Sequence, residues 1–393
     1  MRCTSLRSSD YRLRAAFVGV LVLLVGLAGC GRRSQPVRPV ASAAPAVVPA
    51  PEGLLAELFV REPGVSYAAL RKLGGAPLQR LPASFELGLG LVFDWPVGAV
   101  NALAPGRPAV GVFVRSKQGR PEFVLGFALK SGRGLVKELT APGSPLRAEV
   151  DRGSGITLLR GTQSSALGVL DEWLLAATSE QALQAAGAYV ARGLARRAVP
   201  PEPFVVEAKQ QGLVGIRALT AERWSALRGE LSRSASQTQQ AQGRPADFGD
   251  PLAVLALGDG AVQTFGDTLA SCERARFTLL AEADRLELAV ELVPSDGGLA
   301  ARSTAELSVG SLDALLALPG TVDVAVLTRV GESELGSGAA DPAGALREIL
   351  GSRLPAADTK AVTDAFAHFQ RGRGSTAVYG ITQSAGLLVE QQV

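Results

Sequence analysis

The alternation of apolar and polar residues predicts a set of β-strands along the chain. It is clearest over 276–282 and 285–293, where every second residue is apolar and the second segment carries Glu287 and Glu291 between its apolar positions. We expect one face of these two strands to be buried and the other to be solvated. Shorter runs of the same kind predict further strands over 109–115, 122–130, 146–151, 155–160, 166–170, 173–177, 204–208 and 322–330, with weaker alternation over 376–393.

Polar turns separate the strands between 109 and 177, and these turns predict an antiparallel meander. The segment 116–121 suits a hairpin loop, while Gly153 and the pair Asp171-Glu172 mark later turns.

Helical spacing of apolar residues predicts helices between the strands. Three short helices are expected within 53–103, on the spacings Leu54-Leu55-Leu58, Tyr67-Leu70-Leu73 and Phe85-Leu89-Val92. Later helices are expected near 135–139, from a capping box of Thr178 and Gln181 to about Arg197, from Thr220 on the stripe Trp224-Leu227-Leu231, from Asp341 with Pro342 at the first position, and from Asp358 to Gly372. The Ser, Gln and Ala-rich stretch 232–247 predicts a mobile loop or a frayed helix end of poor order.

Together these elements predict an α+β fold of largely antiparallel sheets bracketed by amphipathic helices. Two similar units in tandem are expected, a first α+β unit over 53–203 and a second over 204–393, although no sequence repeat aligns between them. A body of about 340 residues is longer than most single domains. The last strand ends at Val393, which predicts either a sheet edge or a natural product that continues further.

The N-terminus has the charge pattern of a secretion signal. Four arginines in the first 14 residues precede a charge-free segment, 15–31. At about 17 residues this segment is shorter than the ~20 needed to span hydrocarbon. The apolar run closes on Leu27-Ala28-Gly29-Cys30, in which small residues precede a cysteine.

These residues resemble the signal peptide of bacterial lipoproteins. The resemblance covers residues 1–30 and implies cleavage before Cys30, a thioether-linked diacylglycerol on its sulfur and an acylated new N-terminus. Residues 1–29 are then the signal peptide, and residues 30–52 are the lipidated cysteine with a Pro- and Ala-rich tether. Gly31 stands where an aspartate would favour the inner membrane, which indicates the outer membrane in a host with two membranes. An uncleaved transmembrane anchor and ordinary secretion are the alternatives.

Removal of the signal peptide changes the charge balance of the chain. Four of the 40 basic residues and one of the 37 acidic residues lie in 1–29, which leaves 36 of each and a formal net charge of zero. A neutral chain lacks the electrostatic basis of nucleic-acid binding, so no nucleic-acid partner is predicted. Cys3 is removed and Cys30 is lipidated, so Cys272 is left alone and no intramolecular disulfide can form.

The sequence lacks the common ligand sets for zinc and the common motifs of serine nucleophiles. His368 is the sole histidine and Cys272 the sole free thiol, so the common zinc ligand sets cannot be assembled. No G-x-S-x-G or S-x-x-K motif occurs, and Ser66 is interpreted as a helix cap. We therefore predict no cofactor, no metal site and no catalytic residue.

Two weaker patterns have ordinary structural interpretations. The turn Ser131-Gly132-Arg133-Gly134 joins a strand to a helix, where backbone amides can hold an anion, but it lacks the P-loop lysine and is interpreted as a turn. Glu287 and Glu291 share a strand face, as in a two-carboxylate hydrolase, but the alternation explains them as a solvated face.

The function predicted from the sequence is that of a membrane-anchored envelope lipoprotein with a non-catalytic binding or scaffolding role. Its partners are the membrane, through Cys30, and an envelope protein, glycan or lipid. One alternative is a carrier of lipid or another hydrophobic ligand, whose wall would come from the strands of Leu286 and Phe123. The other alternative is a carboxylate-dependent envelope hydrolase.

Overall fold

The computed structural model describes residues 48–73, 78–161, 165–242, 251–281, 286–305, 313, 324–329, 342–372, 376–384 and 387–392. The predicted signal peptide, Cys30 and most of the tether lie outside these residues, as does the predicted cap Asp341. The chain divides into two compact units: Met1–Gly215 with Arg274–Val293, and Ile216–Glu273 with Pro294–Val393.

The elements of the described residues are numbered here in chain order. The strands are β1 Leu54–Val60, β2 Ala109–Arg115, β3 Pro121–Ala128, β4 Arg147–Val150, β5 Thr157–Arg160, β6 Ala166–Leu170, β7 Trp173–Ala177, β8 Phe204–Lys209, β9 Cys272–Ala281, β10 Leu286–Pro294, β11 Val324–Arg329, β12 Thr376–Ser384 and β13 Leu387–Gln392. The α-helices are α1 Pro63–Leu73, α2 Phe85–Phe93, α3 Val97–Asn101, α4 Gly132–Leu139, α5 Glu180–Ala188, α6 Gln210–Gln242, α7 Leu255–Ala270, α8 Leu299–Ala305, α9 Pro342–Leu350 and α10 Ala356–Gly372.

The first unit is built on a ten-stranded antiparallel sheet with the order β10-β9-β8-β1-β2-β3-β7-β6-β5-β4. The predicted hairpin is present as β2 and β3, paired from Ala109 with Phe127 to Arg115 with Pro121. The predicted meander is present as β4 to β7. The α+β class is confirmed.

Strand β1 corrects the prediction of a helix on Leu54, Leu55 and Leu58. It lies inside the sheet, where it pairs with β2 on one side and β8 on the other. Five of its seven residues are buried, and the neighbours Leu58 and Phe59 point to opposite faces. A strand buried on both faces reads as a continuous apolar run without alternation, which is why the pattern favoured a helix.

Two hydrophobic cores lie on the two faces of this sheet. The valines at 110, 112 and 114 of β2 belong to a core that includes Leu183, Ala186 and Val190 of α5 and of the short helical segment 189–196 that follows it. The alternate residue Ala109 belongs to the other core, with Trp95, residues of α3 and Leu135 of α4. Helices α2 to α4 therefore cover one face and α5 covers the other.

Two predicted helices begin at other residues. The cap of α5 is Ser179 rather than Thr178, because the Ser179 hydroxyl accepts a hydrogen bond from the Ala182 amide at 3.0 Å. Helix α6 begins at Gln210 rather than Thr220 and continues to Gln242. It includes most of the stretch 232–247 that is predicted to be a mobile loop or a frayed helix end, of which 243–247 lie outside the described residues. Ala and Gln are good helix formers, and extending a helix costs much less than nucleating one.

The second unit contains a three-stranded antiparallel sheet, β11-β12-β13, in which the weakly alternating tail forms a hairpin of two strands. The similar tandem units are not confirmed, since the first unit has ten strands in its sheet. The units also interleave along the chain, because β8, β9 and β10 extend the sheet of the first unit beyond β1.

Candidate functional site

Helix α2, with the sequence FELGLGLVF, is the most apolar part of the cover on the sheet of the first unit. The Ser84 hydroxyl caps it by accepting a hydrogen bond from the Leu87 amide at 3.2 Å. It ends at Asp94, whose backbone is left-handed with φ of 55°. Glu86 is its only charged residue, yet none of its nine residues is buried.

Large apolar side chains are exposed on α2 and on the helices that pack against it, α1 and α3. Six of the ten exposed large hydrophobic residues in the described part of the chain fall within 65–97. We call these six the exposed apolar cluster, with exposed fractions of 63% for Val65, 37% for Leu78, 52% for Leu87, 70% for Leu91, 46% for Val92 and 70% for Val97. Exposed apolar residues concentrated in this way mark interaction sites, whereas scattered ones do not.

A chain of aromatic rings lies between these helices and the sheet. The rings make edge, tilted and stacked contacts in which centroids are 5.3 to 6.2 Å apart, in the order Tyr67, Phe85, Phe127, Trp95, Phe93 and Phe123. Phe85 and Phe93 are the first and last residues of α2, so aromatic contacts fix both of its ends. Between them Leu87, Leu91 and Val92 are exposed, whereas Leu89 packs against the core.

Glycines bring α2 close to its neighbouring helices. A Cβ on Gly88 would lie 3.1 Å from the Tyr67 hydroxyl oxygen, and one on Gly90 would lie 2.8 Å from a methyl carbon of Val100. Since a glycine inside a helix costs about 0.5–1 kcal/mol relative to alanine, the close packing offsets a loss of helix propensity.

Three polar atoms under the same helices are buried without a hydrogen-bond partner. They are Ser66 Oγ, Arg71 Nε and Trp95 Nε1, out of five such atoms among the described side chains. Ser66 is not the predicted helix cap, because it lies inside α1 and its amide donates to the Glu62 carbonyl. Buried polar atoms without a partner are uncommon in native proteins, and each one calls for an explanation.

The predicted anion-binding turn is already engaged within the protein. The Ser131 hydroxyl accepts from the Gly134 amide at 3.1 Å, and the Gly132 amide donates to the Glu172 carboxylate at 2.8 Å. Glu172 also lines a cavity of about 300 Å³ beside Lys130 and Trp173. The amide that would hold an external anion holds this carboxylate instead.

The other groups considered from the sequence are dispersed. His368 is exposed on α10, and Glu287 and Glu291 are exposed on β10, where Arg274 lies 3.3 Å from Glu291. Cys272 is fully buried, and burial raises the pKa of its thiol. No group of three or more His, Cys, Asp or Glu able to hold a metal ion occurs in the part of the chain that the structure describes.

The strands suggested as the wall of a lipid carrier do not adjoin. Leu286 lies on β10 and Phe123 on β3, and the sheet order places β9, β8, β1 and β2 between them. Cys30, the predicted lipidation site, lies outside the described residues.

One buried charge gave no signal in the sequence. Glu57 of β1 is 4% exposed, and Arg197 Nη1 donates to both of its carboxylate oxygens at 2.9 Å. The Tyr189 hydroxyl also donates to Glu57, and Arg197 Nη2 donates to the Tyr189 oxygen. Burial, and then the Glu57 carboxylate, raise the pKa of Tyr189 to about 12. These contacts satisfy the carboxylate, so the group ties β1 to the segment after α5.

Comparisons with known proteins identify no family for this chain. No family model matches it, and no curated protein does. A solved structure, crystal form III of TP0453, aligns at 11% identity with a TM-score of 0.24. The alignment covers 40% of this chain and 61% of that chain. Within the described residues, no helix combines the length and the apolar character needed to cross a bilayer.

Proposed function

We propose that this chain is a membrane-anchored lipoprotein of the cell envelope whose folded body acts by binding, and that the exposed apolar cluster is its binding surface. The anchor is an acylated Cys30, and the outer membrane is its location in a host with two membranes. The six side chains of the cluster are all Val or Leu and offer no hydrogen-bonding group. The partner therefore presents an apolar surface.

The observation that carries this proposal is the exposure of α2. A helix that is apolar on all sides normally lies inside a core or a membrane, because water does not solvate it well. Full burial of a Val or Leu side chain is worth about 1.5–3 kcal/mol, so covering six that are roughly half exposed is worth about 5–10 kcal/mol before the costs of association. That free energy is enough to support a specific contact.

Binding rather than catalysis is supported by the state of the reactive groups. The Cys272 thiol is buried with a raised pKa, which disfavours the thiolate. The carboxylate of Glu57 is held by Arg197 and Tyr189 and is 4% exposed, so it does not meet a substrate.

Thiol accessibility in native envelopes tests the proposal. Leu91→Cys and the matched control Leu227→Cys each place one reactive thiol on an exposed helix position, since the native Cys272 is buried and Cys30 is acylated. In the isolated fold position 91 is more exposed than position 227, at 70% against 46%. In envelopes we nevertheless expect the thiol at position 91 to react with a charged maleimide about tenfold more slowly than the thiol at position 227. A tenfold difference corresponds to a free energy of covering of about 1.4 kcal/mol.

The opposite order of rates would contradict the binding surface. If the thiol at position 91 reacts as fast as the one at position 227, α2 is in contact with water in its native setting. The anchor is tested separately by intact mass, which should show acylation of the wild type and none of the Cys30→Ser variant. An unmodified wild type would refute the lipoprotein assignment.

A further inference from the structure

We infer that the partner of the exposed apolar cluster is the bilayer itself, so that α1, α2 and α3 lie on the membrane that holds Cys30. This inference rests on the proposed function. It places Leu87 and Leu91, one helical turn apart on α2, at the boundary between headgroups and acyl chains.

The position of the anchor limits where the cluster can be. Seventeen residues separate Cys30 from Val48, where the described chain begins. Fully extended, they reach about 60 Å, so the body remains close to the membrane surface. The effective concentration of lipid around the cluster is therefore high, and a weak surface affinity is enough to keep it covered.

The charges around the cluster fit an anionic membrane. Residues 63–84 contain three cations, Arg71, Lys72 and Arg80, and no acidic residue. Lys72 and Arg80 are exposed, while the half-buried Arg71 donates to the carbonyls of residues 79 and 83. Three acids flank this stretch, Glu62 directly before α1 and Glu86 and Asp94 at the two ends of α2. A basic border around exposed leucines is typical of helices that lie in the membrane interface.

The aromatic contacts hold α2 against the fold, so the helix meets the membrane lengthwise. Phe85 and Phe93 hold both ends of α2 on the ring chain above the sheet. Helix α2 has nine residues and is about 14 Å long, far short of a bilayer. It therefore lies along the membrane surface without leaving the fold.

Fluorescence in reconstituted vesicles tests the inference. The full acylated chain carrying Leu91→Cys or the control Leu227→Cys is labelled with an environment-sensitive fluorophore. It is then incorporated into vesicles of equimolar phosphatidylcholine and phosphatidylglycerol that contain no other protein. We expect the label at position 91 to shift to shorter emission wavelength, to lose quenching by aqueous iodide and to gain quenching by spin-labelled acyl chains. The label at position 227 should show none of these changes.

The outcomes separate this inference from the proposed function. If the protein sediments with the vesicles but the label at position 91 stays accessible to iodide, the bilayer is not the partner. Protection of the same position in native envelopes would then leave the binding surface intact with a protein partner. If the protein does not sediment with the vesicles, both the anchor and the docking are overturned.

Discussion

Neutralising Glu57 tests whether the buried ion pair holds β1 to the segment after α5. In Glu57→Gln one carboxylate oxygen becomes an amide NH₂ of similar size. Arg197 Nη1, which donates to both oxygens at 2.9 Å, then faces another donor. The hydrogen bond from Tyr189 can persist on the remaining oxygen. The substitution therefore removes charge and one acceptor while leaving the packing in place.

The structure sets the size of the effect. Breaking a buried pair by removing one partner costs about 3–5 kcal/mol. The Arg197 side chain is 42% exposed, so water can solvate part of the unpaired guanidinium, whereas Glu57 is nearly fully buried. A hydrogen bond to a charged group is worth about 1.5–3 kcal/mol. We expect a loss of about 2–3 kcal/mol in the free energy of unfolding of the first unit.

Urea unfolding followed by tryptophan fluorescence measures this loss. All variants carry Trp224→Phe, which leaves Trp95 and Trp173 to report on the first unit alone. The matched control is Glu149→Gln, because Glu149 and its partner Arg160 are both more than half exposed. An exposed pair contributes about 1 kcal/mol or less.

Equal losses for the two variants would refute the argument. The same conclusion would follow if a double-mutant cycle of Glu57→Gln with Arg197→Met gave no coupling free energy, since groups in contact couple by about 0.5–3 kcal/mol. In either case the pair would be an incidental contact in the middle of β1.

Two further predictions concern the first unit and α6. Gly212→Ala should destabilise the protein, because its Cβ would lie 2.0 Å from the Leu55 carbonyl oxygen. In Gly229→Ala on the same helix the new Cβ has nothing within 4 Å, so this variant should be more stable by up to about 1 kcal/mol. Urea midpoints that move in the same direction for the two variants would contradict this expectation. Since the pKa of Tyr189 is raised from 10.0 to about 12, the neutral phenol favours folding. Its contribution of up to about 3 kcal/mol is complete below pH 10 and is lost as the pH rises to 12. Urea unfolding should therefore show a steeper alkaline loss for the wild type than for Tyr189→Phe, and identical losses would exclude the mechanism.

The strands that followed from the sequence are those separated by clear turns, although β6 and β7 are buried on both faces. Strands β2 to β7 could be predicted because their turns are polar and short, so strand and turn alternate visibly along the chain. Strand β1 could not, because its leucines at 54, 55 and 58 also fit the spacing of a helix. The start of α6 at Gln210 follows directly after β8 and has no capping signal in the sequence.

Long-range pairs could not be predicted. Glu57 and Arg197 are 140 residues apart, and nothing near either residue indicates the other. A charged residue between Ala56 and Leu58 reads as a solvated position, whereas the fold buries it against Tyr189 and Arg197, in and just after the helical segment that follows α5.

The exposure of apolar side chains on α2 could not be predicted from the sequence. The spacing of Phe85, Leu89 and Val92 correctly predicts a helix, but the same spacing assumes that its apolar residues are buried. Leu87 and Leu91 lie outside that stripe and are exposed, and Val92, which lies on it, is 46% exposed as well. In the sequence, an apolar residue outside the predicted buried face of a helix does not by itself indicate a binding surface. Its meaning depends on the neighbouring helices, which the sequence does not place.

The close packing at its glycines shows that the exposure of α2 does not result from a loose fit to its neighbours. Gly88 and Gly90 allow approaches to Tyr67 and Val100 that a Cβ would obstruct, so the inner side of the helix is fitted closely. On the outer side the same nine residues keep leucines that contribute nothing to this fit. Natural sequences break local rules mainly at functional sites, where the cost is offset elsewhere. A helix that weakens its own propensity to pack inward while leaving apolar residues outward is therefore expected to meet an apolar partner.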